Sequence, residues 1–293
     1  MNNAFRFLIV LSFSGFINSF LSAESIKVLL IDGQNNHNWK ATTPVLKKAL
    51  ESSGRFSVTV STSPARNGSK DDWSEWNPKF GSFDVTLSNY NGQSWPDPLQ
   101  KSLEDYVKSG GAFVVVHAAN NSFSGWLEYN RMIGLGGWGG RTEKNGPYLY
   151  FDDSNKLVRD PRPGRGGSHG AQHEFTVKLR QKDHPIVKGM PAEWKHAKDE
   201  LYDSLRGPAD KVEVIATAYS SKSKRHEPMI MTISYGKGRV FHTPMGHADY
   251  SMLCVGFQDV LRRGTEWAVT GKVTQALSKE FPSVDKTVSV SAK

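Results

Sequence analysis

Ala112-Phe113-Val114-Val115-Val116-His117-Ala118 is the stretch that decides the fold. Four of its residues in a row, Phe113 to Val116, are large and apolar, and the run stops at a histidine. A strand exposed on one face alternates apolar and polar residues. An unbroken run is the pattern of a strand buried on both faces, at the centre of a parallel sheet covered by helices. Working upstream, residues 98–107 carry apolar side chains at helical spacing and are closed by Gly110-Gly111. Residues 83–88 read as a further strand. Ile26–Asp32 (IKVLLID) is a second buried run, and residues 56–60 alternate. Between them, Thr43-Pro44 predicts the opening of a helix, because proline's missing N–H costs nothing in a first turn. This is a βαβ start.

Downstream, residues 121–172 break the pattern. They are rich in glycine, asparagine, arginine and tryptophan, and read as a long loop insertion, which is usually functional in a compact domain. Strands follow at residues 175–179, 212–216, 229–235 and 239–242, the last two joined by the turn Gly236-Lys237-Gly238, and residues 257–269 form the last helix. Residues 61–80 read as a loop. The expected organisation is a signal peptide over residues 1–23, one α/β domain over 24–271, and a loose polar tail over 272–293. The signal-peptide reading rests on Arg6, the apolar run from Phe7 to Phe16, and the small-residue cleavage site at Leu21-Ser22-Ala23. It predicts a periplasmic or secreted protein with no stable membrane insertion after cleavage.

Composition narrows the classes. Of 293 residues, 38% are hydrophobic and 23% charged, enough for a core and not the composition of a disordered chain. The single cysteine, Cys254, rules out an internal disulfide. The formal charge of +8 invites a nucleic-acid partner. However, the basic residues are scattered apart from Lys222 to Arg225, and no nucleic-acid motif is present, so none is expected. Gly164 to Gly167 is no phosphate loop, and Gly134 to Gly140 lacks the strand that precedes a dinucleotide fingerprint.

In an open parallel sheet, ligands bind beyond the carboxyl ends of the strands. Asn36, His37 and Trp39 follow the first strand. His117 and Asn120 follow the AFVVV strand. His242 ends the last strand, with His247 and Asp249 just beyond. One histidine at a strand end is usually a core or capping group, but three such ends converge here. His117 and His247 can act as acid and base near neutral pH, with Asp249 either orienting an imidazole or capping the next helix. His173 and Glu200 are further candidates for lining the pocket, with Tyr202 beside them. His196 and His226 read as surface residues. Imidazoles with a carboxylate can also hold a divalent metal such as Zn²⁺, the candidates being His37, His117, His242 and His247. Trp39, Trp126 and Trp138 suit the apolar faces of sugar rings.

The sequence resembles the ThuA-like (trehalose-utilisation) family. The resemblance lies in Asn36-His37-Asn38-Trp39-Lys40, Gly111 to Ala118, His184-Pro185-Ile186, Asp199-Glu200-Leu201-Tyr202, Gly238-Arg239-Val240-Phe241 and Gly246-His247, and covers roughly residues 26–270. It implies a flavodoxin-like, class I glutamine amidotransferase-like three-layer sandwich with a mostly parallel sheet. It also implies a role in carbohydrate catabolism on disaccharides or their keto derivatives. The amidotransferase nucleophile is a cysteine at the turn after the central strand. Here His117 stands there, so glutamine hydrolysis by that route is not expected. Three readings stay open: a sugar-acting enzyme, a carbohydrate-binding protein without catalysis, and a metal-dependent hydrolase. The oligomeric state is not encoded legibly.

Overall fold

A computed structural model describes residues 24–291, so the signal-peptide reading of residues 1–23 lies outside the described residues. The elements run β1 (Ile26–Asp32), α1 (Trp39–Glu51), β2 (Phe56–Thr62), α2 (Lys70–Glu75), β3 (Val85–Ser88), α3 (Asp97–Ser109) and β4 (Ala112–Val116). Then come α4 (Leu127–Ile133), β5 (Tyr148–Phe151), β6 (Leu157–Asp160), β7 (Ser168–His169), β8 (His173–Leu179), β9 (Glu193–Asp199) and β10 (Tyr202–Asp203). The chain finishes with β11 (Val212–Ser220), β12 (Arg225–Tyr235), β13 (Gly238–Thr243), α5 (Asp249–Met252) and α6 (Val255–Thr270).

The main sheet has the order β2-β1-β3-β4-β13-β12-β11-β8-β9. Its first five strands are parallel and form the flavodoxin-like half. From β13 onward the pairings are antiparallel, which extends the sheet into a wing. The alternation inside the buried runs explains the three layers. Ala112, Val114 and Val116 point into the core under α1 and α6, with Leu46, Leu50, Phe257 and Leu261. Phe113 and Val115 point into the opposite core, with Leu103 and Val107 of α3 and Tyr129 and Ile133 of α4. All five β4 residues are buried, as their unbroken apolar run requires.

Several local expectations are corrected. The first helix opens at Trp39, not at Thr43-Pro44. The Asn38 side chain accepts the Ala41 N–H and caps it, and Pro44 sits in its second turn. Residues 61–80 hold the short α2, begun by a Ser69–Asp72 capping box. The insertion is an ordered frame containing α4 and the β5–β6 hairpin. Arg141 holds it together from within. Its buried guanidinium donates to the carbonyls of Gly137 and Ser122 and to Asn130 Oδ1.

The tail is not loose. The backbone N–H of Val255 donates to Val288, and that of Val290 donates to Leu253. Ser278 caps the buried Asp259, and Thr274 caps the buried Glu266. No helix among the described residues is long and apolar enough to cross a membrane.

Candidate functional site

Four elements deliver side chains to one point. His37 follows β1 and His117 follows β4. His247 is reached from β13 through Thr243 to Gly246, and Glu200 follows β9. The turn at His117 is tight. Its φ of 45° lies in the left-handed region that a non-glycine residue adopts only at a cost, and it aims the imidazole back over the sheet edge. His37, His117, Glu200 and His247 each offer one ligand atom, and these atoms lie within 4.8 Å of one another.

The hydrogen bonds fix most of the protons. His117 Nδ1 lies 2.7 Å from the Pro244 carbonyl, which can only accept, so Nδ1 carries the proton. Nε2 therefore keeps a lone pair. It is buried, has no hydrogen-bond partner, and lies 3.8 Å from Glu200 Oε2. His247 Nδ1 lies 3.0 Å from the same carboxylate oxygen. On its far side, His247 Nε2 meets the Gln172 amide nitrogen at 2.9 Å, and Gln172 Oε1 accepts from the Tyr250 hydroxyl. That chain leaves the His247 proton on Nδ1, facing Glu200. His37 Nε2 accepts from Asn36 Nδ2 at 3.1 Å and meets the Tyr202 hydroxyl at 3.2 Å.

The electrostatics sort the imidazoles. Burial lowers His117 to about 4. Burial and the neighbouring imidazoles lower His37 to about 3. Burial opposes the charge on His247, but the Glu200 carboxylate overcomes it and raises this imidazole. Burial would likewise raise Glu200, and the His247 contact holds it low instead. Glu200 thus favours a proton on His247, while burial disfavours one on His37 and His117.

A cavity of about 370 Å³ opens on Glu200 and His37, and His247 borders a neighbouring cleft that also touches His37. The walls of the cavity include the rings of Trp138 and Tyr202, the amides of Asn36, Asn91 and Asn121, and His169. His169 Nδ1 lies 3.9 Å from the other Glu200 oxygen.

Behind the pocket, Asp199 is buried and accepts four N–H groups. These are the backbone N–H of Glu200 (2.8 Å), Gly246 (2.7 Å) and His247 (2.9 Å), and His196 Nε2–H (2.7 Å). A bulge in β9 makes this geometry. Asp199 pairs with His173 and His196 with Phe175, so three residues of β9 span two of β8. In a regular strand His196 and Asp199 would face opposite ways. The bulge puts them on one side. Burial opposes the charge on His196, while Cys254 and Asp199 overcome it and raise the imidazole to about 10.

Placed against the sequence reading, His37, His117, Glu200 and His247 come together and Asn36 lies at the rim, while five other candidates lie elsewhere. His242 and Asn120 are fully buried and bond each other at 3.1 Å. His242 Nδ1–H donates to Ile133, so both are core groups. The 3₁₀ turn over residues 117–121 sends Asn121, the next residue along, into the pocket. Asp249 is exposed in the first turn of α5, and the carboxylate that meets His247 is Glu200. His173 is exposed and donates to the Ala171 carbonyl, whereas His169 lines the cavity.

Trp39 is the first residue of α1, under the Lys40 ammonium, and Trp126 is a core ring donating to Glu104. His196, expected at the surface, is fully buried. Cys254 is buried just before α6, away from the strand-end turn where an amidotransferase nucleophile stands. Asn91, Gln172 and Tyr250 carried no sequence signal, because their roles depend on distant partners.

The family model for ThuA, trehalose utilisation, matches residues 27–268. The chain belongs to the ThuA family. A ThuA-like protein from Parabacteroides merdae, known from its crystal structure, is 46% identical. The match covers 91% of this chain and 98% of that one, with a TM-score of 0.87. A ThuA-like protein from Bacteroides uniformis is 19% identical over 93% of this chain and all of its own, with a TM-score of 0.58, a likeness of fold. No curated protein matches the sequence.

Proposed function

We propose that this ThuA-family protein is an exported enzyme of carbohydrate catabolism, acting on a disaccharide or a keto derivative of one. The observation that carries this reading is that Glu200 and His37, which line a cavity walled by rings and amides, are clustered with His117 and His247. Aromatic faces stack on the C–H faces of sugars, and amides pair with hydroxyls. In this reading the cluster handles the protons. His247, whose Nδ1–H faces Glu200, gives one, and the free lone pair of His117 Nε2 takes one. Glu200 fills the orienting role for which Asp249 was a candidate. Export rests on the sequence of residues 1–23.

A panel of disaccharides and their keto derivatives, incubated with the mature protein and followed by mass spectrometry, tests the reading. Consumption of a member, lost in His117→Asn and His247→Asn variants that still fold, supports it. Saturable sugar binding with no product supports instead a carbohydrate-binding protein without catalysis.

A further inference from the structure

Glu200 and His117 present a conflict that points to something between them. The Pro244 carbonyl fixes the His117 proton on Nδ1, so Nε2 faces Glu200 Oε2 with a lone pair. Two electron-rich atoms are thus aimed at each other across 3.8 Å, and Nε2 is buried with no hydrogen-bond partner. A buried acceptor without a donor is costly. A cation between them removes the conflict. His37 and His247 bring two more ring nitrogens to the same point, all four ligand atoms within 4.8 Å.

We propose that His37, His117, Glu200 and His247 form a binding site for one divalent first-row transition ion, of the class that Zn²⁺ represents. Three imidazoles and one carboxylate are a donor set suited to such ions and poorly suited to Ca²⁺ or Mg²⁺, which prefer oxygen. Ligands at about 2.1 Å from a tetrahedral ion lie roughly 3.4 Å apart, so small side-chain rotations close the observed spread. The supporting contacts are those a metal-binding histidine needs. His117 Nδ1–H is held by a carbonyl, which orients the ring. Gln172 stands behind His247 Nε2. Turning its amide lets it accept from Nε2–H, which frees Nδ1 for the ion. The position follows from geometry alone. Its chemical use rests on the carbohydrate reading: the ion would polarise a hydroxyl or keto oxygen in the pocket, and, with His117 and His247 engaged as ligands, its bound water would replace them in moving protons.

The test is metal content and affinity of the mature protein purified without chelator or histidine tag. Elemental analysis should find close to one transition ion per chain. After chelation and dialysis, Zn²⁺ titrated by calorimetry should bind with a stoichiometry near one and raise the melting temperature. His37→Asn, at a half-exposed position, should weaken Zn²⁺ binding at least 100-fold, and Glu200→Gln should do the same. His173→Asn, a histidine outside the cluster, should leave it unchanged.

The proposal is overturned if the protein takes up no stoichiometric Zn²⁺, Mn²⁺, Fe²⁺, Co²⁺ or Ni²⁺, or if Zn²⁺ binding survives intact in the folded His37→Asn and Glu200→Gln variants. Sugar turnover by chelated, metal-free protein also overturns its catalytic use and leaves the carbohydrate reading standing. Stoichiometric metal without turnover of any sugar does the reverse.

Discussion

Glu200 Oε2 lies 3.0 Å from His247 Nδ1, although the two residues are 47 positions apart in the chain and come from opposite halves of the sheet. Asp199 makes the contact reproducible. It accepts the backbone N–H of both Glu200 and His247, so one buried carboxylate sets the position of the pair.

Asp199 is itself held by His196, both side chains being fully buried. Removing one partner of such a pair strands the other charge, which costs about 3–5 kcal/mol. His196→Ala is expected to lower the melting temperature on the order of 10 °C. The sign of the pH dependence follows from the pair. His196 is raised to about 10, so its contribution is complete below the unfolded value of 6.5 and fades as pH rises toward 10. Asp199 is lowered, so its contribution is complete above 3.8 and fades as pH falls below that. Thermal melts of the wild type and the variant between pH 6 and pH 10 should converge as the pH rises. Parallel curves would rule the pair out as the source.

Neighbouring asparagines should behave differently. Asn120 Nδ2 donates to the buried His242, and Asn121 lines the cavity. Asn120→Ala leaves a buried imidazole nitrogen without its donor, and should cost about 1–3 kcal/mol of stability. Asn121→Ala should weaken ligand binding with little change in melting temperature. Equal effects of both variants on stability and on binding would contradict the placement.

Acid should destabilise the fold through His242. Burial lowers this imidazole to about 4, whereas the unfolded chain binds a proton near 6.5. The unfolded state is therefore favoured progressively as pH falls from 6.5 to 4, by up to about 3 kcal/mol from this residue. Denaturant titrations at pH 7, 5.5 and 4 should show a shallower decline for His242→Gln than for the wild type, even from a lower start. An identical slope would assign the acid sensitivity elsewhere.

The parallel half was legible because each of its strands is buried on both faces or ends in a clear turn, and that pattern survives without tertiary information. The histidines at 37, 117 and 247 were legible for the same reason, as residues just past apolar runs. The sequence offers Asp249, two residues from His247, as an orienting carboxylate or a helix cap. The true contact comes from β9, whose sequence Glu193-Trp194-Lys195-His196-Ala197-Lys198-Asp199 gives no strand signal and whose bulge cannot be read locally. Asn121, not Asn120, reaches the pocket because a 3₁₀ turn rotates side chains in a way that extending the strand does not predict. His196 looked exposed because a buried charge is visible only with its partner. The tail looked loose because its polar side chains serve the buried Asp259 and Glu266.

The most direct measurement of the central claim is turnover by Glu200→Gln, which keeps the shape of the side chain and removes its charge. With a consumed disaccharide or keto-disaccharide in hand, the variant should lose at least 100-fold in kcat/KM while keeping the wild-type circular-dichroism spectrum. Turnover within a few-fold of the wild type would contradict it, and would move the chemistry away from the His37–His117–Glu200–His247 cluster.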